Sequence, residues 1–310
     1  MLCEPSPPPF WHPPGGDASA PRPRLAAPAG ERHPTHPRRC RRLKPMLTLH
    51  DPLIAAASAR TQAPTLQFVD CRFRLDDPLA GRAAFGEARL PNAAFLDLEG
   101  DLSGPIDLTK TGRHPLPTKA ALREAFARAG LNQHAHLVFY DDAGGAFAAR
   151  AWWSAAYLGH ASAQVLDGGL EAWLGAGGEL DTTPAPAPTP APAWTEEQAF
   201  AATADLAAVR ARVAEGGQGL IDARALPRFR GEVEPIDPVA GHIPGALCMP
   251  HSENLTASGC FKAAAALRDR WASLFAGATP PIAYCGSGVT AAHNLLAMAA
   301  AGLCQAALPA

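Results

Sequence analysis

The sequence predicts an α/β protein made of two tandem domains, each a parallel sheet flanked by helices. Three observations carry that expectation. The chain has 310 residues, room for about two domains of roughly 150 residues each. Short β-branched or aromatic runs alternate with Ala/Leu-rich stretches of helical length, the pattern of strand–helix–strand units. The second part also repeats the first. LQFVDCRF (66–73) matches GLIDARAL (219–226), and ARLPNAAFLDLE (88–99) matches GHIPGALCMPHS (241–252). HLVFYDDAGGAFAARAWWSAAYLG (136–159) matches PIAYCGSGVTAAHNLLAMAAAG (281–302). Offsets of about 144 to 153 residues belong to a duplicated domain and not to a solenoid repeat.

Taken in order, residues 1–45 are rich in Pro and Arg, as in PSPPPFWHPPGG and RHPTHPRRCRRLKP. Proline at that density opposes helix and sheet, so a disordered extension is expected. Two explanations compete: an over-long reading frame whose true start is Met46, and a basic tail or organelle presequence. Neither involves a secretory apolar core. Residues 46–180 form the first domain, with TKAALREAFARAG (118–130) among its helices. DTTPAPAPTPAPAWT (181–195) alternates Pro and Ala and reads as a semi-rigid extended linker. Residues 196–310 form the second domain. The first half continues after its Ala-rich helix into AQVLDGGLEAWLGAGG (163–178), whereas the second reaches AGLCQAALPA and stops. The second domain is therefore expected to be cut short by a strand and a helix.

Composition narrows the function classes. Lys and Arg total 27 against 29 Asp and Glu, a formal charge of −2, so no global basic field argues for nucleic acid. No apolar run reaches the ~18 residues a membrane-spanning helix needs. Seven cysteines without a CxxC pair fit a reducing, cytoplasmic setting better than a disulfide framework. Structural-zinc spacing is absent from the sequence, and neither metal nor cofactor is implied.

One cysteine stands apart. Cys285 follows the apolar run ending at Tyr284, and Gly286, Ser287, Gly288, Val289 and Thr290 lead into an Ala-rich helix. Ligands of open α/β sheets bind past the carboxyl ends of strands. Glycines there let backbone N–H groups turn inward as an anion cradle, and the helix adds its positive end. Such a cradle favours thiolate, the nucleophilic form. Ser287 would donate a hydrogen bond to substrate or thiolate, or else only shape the turn. A Cys-x5-Arg phosphatase loop would need arginine at Ala291. A papain-like site would need its His and Asn far downstream. The G-x-S-x-G elbow fails at Cys285 and Val289. In the first half Asp141 stands where the second has Cys285, so one half is expected to be catalytic and the other inactive. Cys71, Cys248, Cys260 and Cys304 read as packing.

At these residues the chain resembles the two-domain rhodanese family, nearest to its 3-mercaptopyruvate branch. The resemblance rests on CGSGVT (285–290), GHIPGA (241–246), DARALPRFRGEVEP (222–235), GRHPLP (112–117) and DGGLEAW (167–173), and covers roughly residues 46–310. It implies a sulfurtransferase with an inactive first domain. The Cys285 thiolate would take a sulfur from 3-mercaptopyruvate, or thiosulfate, and pass it to cyanide or a thiol acceptor such as thioredoxin. The resemblance also implies Arg228 and Arg224 as the carboxylate clamp, the alternative being structural ion pairing with Asp222 or Glu232. Neutral Gly286 and Ser287, where thiosulfate-preferring relatives carry basic residues, favour a monoanionic 3-mercapto acid. Two departures stand out. Arg89 occupies the place where some relatives are read to carry a histidine, and EVEPIDPVAG (232–241) lacks a further arginine. His114 and His242 are read as structural. A non-catalytic binding or persulfide-carrier module is the alternative.

Overall fold

The computed structural model describes residues 51–107, 110–195, 199–275, 280–303 and 307–309. The stretch 1–45 lies outside them, with Cys3, Cys40, Met46 and also Cys304.

The first half folds around β1 (Leu53–Ala55), β2 (Leu66–Asp70), β3 (Ala94–Phe95), β4 (His136–Tyr140) and β5 (Ala163–Asp167), ordered β1-β5-β4-β2-β3. The second uses β6 (Ala202–Ala204), β7 (Leu220–Asp222), β8 (Leu247–Cys248), β9 (Ile282–Tyr284) and β10 (Ala307–Pro309), ordered β6-β10-β9-β7-β8. Both sheets are parallel throughout, with Asp70 opposite Tyr140 and Asp222 opposite Tyr284. In β4, Leu137 and Phe139 enter one apolar cluster while Val138 and Tyr140 enter another. Burial on both faces is why these strands read as unbroken apolar runs.

Helices α1 (Ala56–Gln62), α2 (Ala80–Glu87), α3 (Lys119–Arg128), α4 (Ala146–Tyr157) and α5 (Gly169–Gly175) flank the first sheet. The second has α6 (Leu206–Ala214), α7 (Leu226–Arg230), α8 (Ala264–Trp271) and α9 (Val289–Ala300). Thr118 caps α3, its Oγ1 accepting from Ala121 N at 3.2 Å. Helices α4 and α9 start from left-handed glycines, Gly145 at φ 86° and Gly288 at φ 75°. Their alanines let the two helices pack together inside the cluster that runs through both halves.

The expectation that the second domain lacks its last strand is corrected. β10 lies between β6 and β9. Three residues ending in proline carry almost no strand signal of their own, and pairing on both sides holds them. Among the described residues helix α5 has no counterpart in the second half. In the first half Trp173 of α5 meets Phe68 edge-on at 5.3 Å. The matching face of the second sheet borders a cavity of about 430 Å3 lined by Leu206, Val209, Leu220 and Ile282. The Pro/Ala segment 181–195 is a strap fastened to the first half more than a spacer. Ala191 N donates to Ala127 O at 2.8 Å, and buried Trp194 donates Nε1–H to Leu131 O at 2.7 Å.

Candidate active site

Strand β9 delivers Cys285 to the N-terminal end of α9. Cys285 is half-buried, and its Sγ accepts from Gly288 N at 3.1 Å and Ser287 N at 3.4 Å, with Ser287 Oγ 3.9 Å away. The first half shows what this turn binds. There the Asp141 carboxylate accepts four backbone N–H groups. Oδ1 takes Ala143 N (2.9 Å) and Gly145 N (2.8 Å), and Oδ2 takes Phe147 N and Ala148 N (both 2.9 Å). Burial, the larger influence, raises the Asp141 acid, and these donors offset it only in part. A protonated oxygen would point O–H at N–H, so four inward amides require the anion. One loop holds a carboxylate from its own chain, and its duplicate holds a sulfur with half as many donors.

The sequence-predicted site residues converge on a cavity of about 300 Å3 lined by Cys285, Gly286, Ser287, Val289, Thr290, Arg224 and Arg228, with Phe73, Leu98 and Phe147 opposite. Gly288 and Tyr284 line the larger cavity on the other side of the loop.

The two arginines differ from expectation. The Arg224 fork is occupied within the fold: Nε and Nη2 bind Asp222 (2.7–3.1 Å), Nη2 also reaches Gly241 O, and Nη1 meets Glu234 at 3.1 Å. Arg72 of the first half does the same with Asp70 and Ala88 O. The repeated Asp-x-Arg pair is thus a fold element: it ties the strand end to the loop before the next strand and leaves Arg224 few donors for a substrate. Arg228 is less committed, at 18% side-chain exposure, yet its Nη2 meets Glu234 (2.7 Å) and Asp237 (2.8 Å). Burial raises the Glu234 acid, but Arg228 and the N–H groups of Asp237 and Ile236 outweigh it and hold it down to about 2.

Three further positions beside the Cys285 loop, all in the first half, were not among the expected site residues. His114 lines both cavities beside Cys285, with Nε2 3.8 Å from Glu99 and a buried Nδ1 that has no hydrogen-bond partner. Burial, then Arg113 and Arg150, lower it to about 4, so it is neutral at pH 7. Its edge-on contact with Phe73 at 6.1 Å fits the structural reading as well. The only available signal was its place in GRHPLP, where the backbone of Arg113 donates to Gly286 O at 3.4 Å. Arg113 also faces Asp237 at 3.5 Å. Arg150 of α4 comes against Gly288. Arg89 is turned away to Asp181 and Thr183 O. His242 stacks on Phe229 and bonds its carbonyl at 2.7 Å, a structural role. Cys71 is buried, and burial pushes its thiol well up. Among the described residues no cluster of His, Cys, Asp and Glu fits a metal ion.

The rhodanese-like domain model matches twice, over residues 54–176 and 205–308. The chain belongs to the rhodanese family. A Pseudomonas aeruginosa protein named a probable 3-mercaptopyruvate sulfurtransferase is 47% identical over 248 residues, covering 79% of this chain and 87% of that protein. The Mus musculus thiosulfate sulfurtransferase is 31% identical, covering 76% and 79%. Among solved structures, 3-mercaptopyruvate sulfurtransferase from Leishmania major aligns with TM-score 0.74 at 28% identity, covering 83% of this chain and 71% of that one.

Proposed function

We propose that this sulfurtransferase carries sulfur from 3-mercaptopyruvate, as a persulfide on Cys285, to cyanide or a thiol acceptor such as thioredoxin. The observation that carries the reading is the amide cradle, filled by a carboxylate at Asp141 and by sulfur at Cys285. The thiolate attacks the donor sulfur, and an S–S bond forms as the donor's C–S bond breaks. The bond's electron pair leaves on the methylene carbon, as the enolate of pyruvate. The proton lost from the donor thiol balances the one this carbon takes up. In the second step the acceptor attacks the outer sulfur and the Cys285 thiolate leaves. The first-turn amides of α9, which have no intrahelical acceptors, stabilise the charge in both steps.

Arg228 binds the donor carboxylate by displacing one of its own carboxylate partners, and Arg224 supports it by fixing Asp222 and Glu234. Phe73, Leu98 and Phe147 suit a carbon skeleton, and the loop beside Cys285 brings no lysine or arginine of its own for a dianion such as thiosulfate. Among the described residues no helix is long and apolar enough to cross a membrane. Free thiols suit a cytoplasmic setting. Residues 46–180 serve as the non-catalytic half and 196–310 as the catalytic half.

The test is thiocyanate formation from 3-mercaptopyruvate and cyanide by wild type and Cys285→Ser, with mass spectrometry after donor treatment. We expect an adduct of about 32 Da on the Cys285 peptide and no turnover in the variant. Retained turnover would remove Cys285 from the chemistry. Faster turnover with thiosulfate would refute the donor assignment.

A further inference from the structure

Arg150 projects from α4 of the first half and is 1% exposed. Its Nη2 donates to the carbonyls of Leu102 (3.0 Å), His114 (3.1 Å) and Pro115 (3.4 Å), while Nε is buried without a partner. Of the cations lining the two cavities, Lys110 meets Asp107, Arg113 meets Asp237, and Arg224 and Arg228 meet Glu234. Among these described, cavity-lining cations Arg150 alone has no carboxylate within 4 Å. An unpaired buried charge is costly, so this one calls for an anion.

The anion that the loop offers it is the Cys285 sulfur. A Cβ built on Gly288 would lie 2.6 Å from Arg150 Nη1, and the N–H of Gly288 is the 3.1 Å donor to Cys285 Sγ. Position 288 thus needs glycine for its left-handed φ and also to admit the guanidinium. The duplicate supplies a control. On α9 the residue matching Arg150 is His293, whose Nε2 lies 3.0 Å from Gly144 O in the Asp141 loop. That loop satisfies its own carboxylate with four amides, and a neutral imidazole stands against it. The sulfur has two amides, and a cation stands against it.

We propose that Arg150 is the countercharge of the Cys285 sulfur, a positioning residue lent by the first half that holds the thiolate, and then the persulfide, in its anionic form. The proposal rests on Cys285 being the nucleophile. Other titratable groups around the loop do not fill this role. Burial lowers His114 to about 4 and also lowers His251, so both are neutral at pH 7, and burial lifts the Tyr284 phenol to about 13. Burial pulls Arg150 itself down to about 10, opposed by the Cys285 charge.

The experiment is the pH profile of iodoacetamide alkylation at Cys285, read by peptide mass in the full chain for wild type, Arg150→Gln, Arg150→Met and Arg150→Lys. Folding is checked by near-UV circular dichroism. The neutral variants should shift the profile's midpoint upward by about one pH unit, and Lys, which keeps the charge, by less than about 0.3. Persulfidation by the donor at pH 7 should slow about tenfold in the neutral variants. An unmoved midpoint in a folded neutral variant overturns the proposal. If neither neutral variant folds, the Lys protein decides: a retained midpoint supports a charge role, and a rise of a full unit overturns it. Full turnover with Cys285 completely alkylated would instead sink the nucleophile assignment and is read separately.

Discussion

Asp141→Asn tests the amide cradle without touching the sulfur. The asparagine oxygen can keep the bonds from Ala143 N and Gly145 N. Its NH2 group then faces Phe147 N and Ala148 N, which now hold the other carboxylate oxygen at 2.9 Å. Two charge-assisted bonds are lost at a fully buried site. At ~1.5–3 kcal/mol apiece, the expected destabilisation is about 3–6 kcal/mol. In urea titration followed by far-UV circular dichroism, the midpoint should fall by about 1–3 M for an m of roughly 2–3 kcal/mol/M. Asp142→Asn is the control. It removes only the ion pair with Arg74 at 2.7 Å, whose side chains are 47% and 28% exposed, and such pairs contribute about 0–1 kcal/mol. If Asp141→Asn cost no more than Asp142→Asn, these amides would not require an anion. The argument that the matching turn ionises Cys285 would lose its internal precedent.

Gly288→Ala combines a left-handed φ of 75°, unfavourable by about 1–2 kcal/mol for other residues, with a methyl group 2.6 Å from Arg150 Nη1. Cyanide-assay turnover should fall ~10–100-fold, whereas Gly175→Ala, with nothing within 4 Å of the added carbon, should leave it unchanged; equal activity would show that the loop tolerates displacement. Burial holds His293 at about 3 and His114 at about 4, below the ~6.5 of an unfolded chain. The unfolded state therefore binds more protons below that pH, and stability present above ~6.5 is lost as the pH falls toward 4, about 2 kcal/mol per histidine at pH 5. The drop in urea midpoint between pH 7.5 and pH 5 should be smaller in His293→Gln than in wild type, and an equal drop would contradict a neutral buried His293.

The duplication was legible because strand ends carry their identities locally. Asp-x-Arg after β2 and β7, and Tyr at the ends of β4 and β9, occupy corresponding places in the two sheets. Cys285 was legible for the same reason, since a strand, two glycines and a helix specify a turn without long-range information. β10 was not, because its order comes from neighbours about 25 and 105 residues away. For Arg224 the sequence left two readings, a substrate clamp or an ion pair with Asp222, and the tertiary packing shows how fully Asp222 and Gly241 engage its fork. His114 comes to the cavity beside the backbone contact of Arg113 with Gly286, and Arg150 comes to Gly288 through the packing of α4 on α9, contacts no local pattern encodes.

That contact is reciprocal: α4 sends Arg150 to the glycine turn ahead of α9, and α9 sends His293 to the glycine turn ahead of α4. Mutual insertion of equivalent positions is the geometry of an isologous, two-fold dimer, here fused into one polypeptide. Fusion freed each copy to specialise, one keeping the reactive element and the other the charge that serves it. Residues 196–310 expressed alone would retain their bare amides and lack the buried cation.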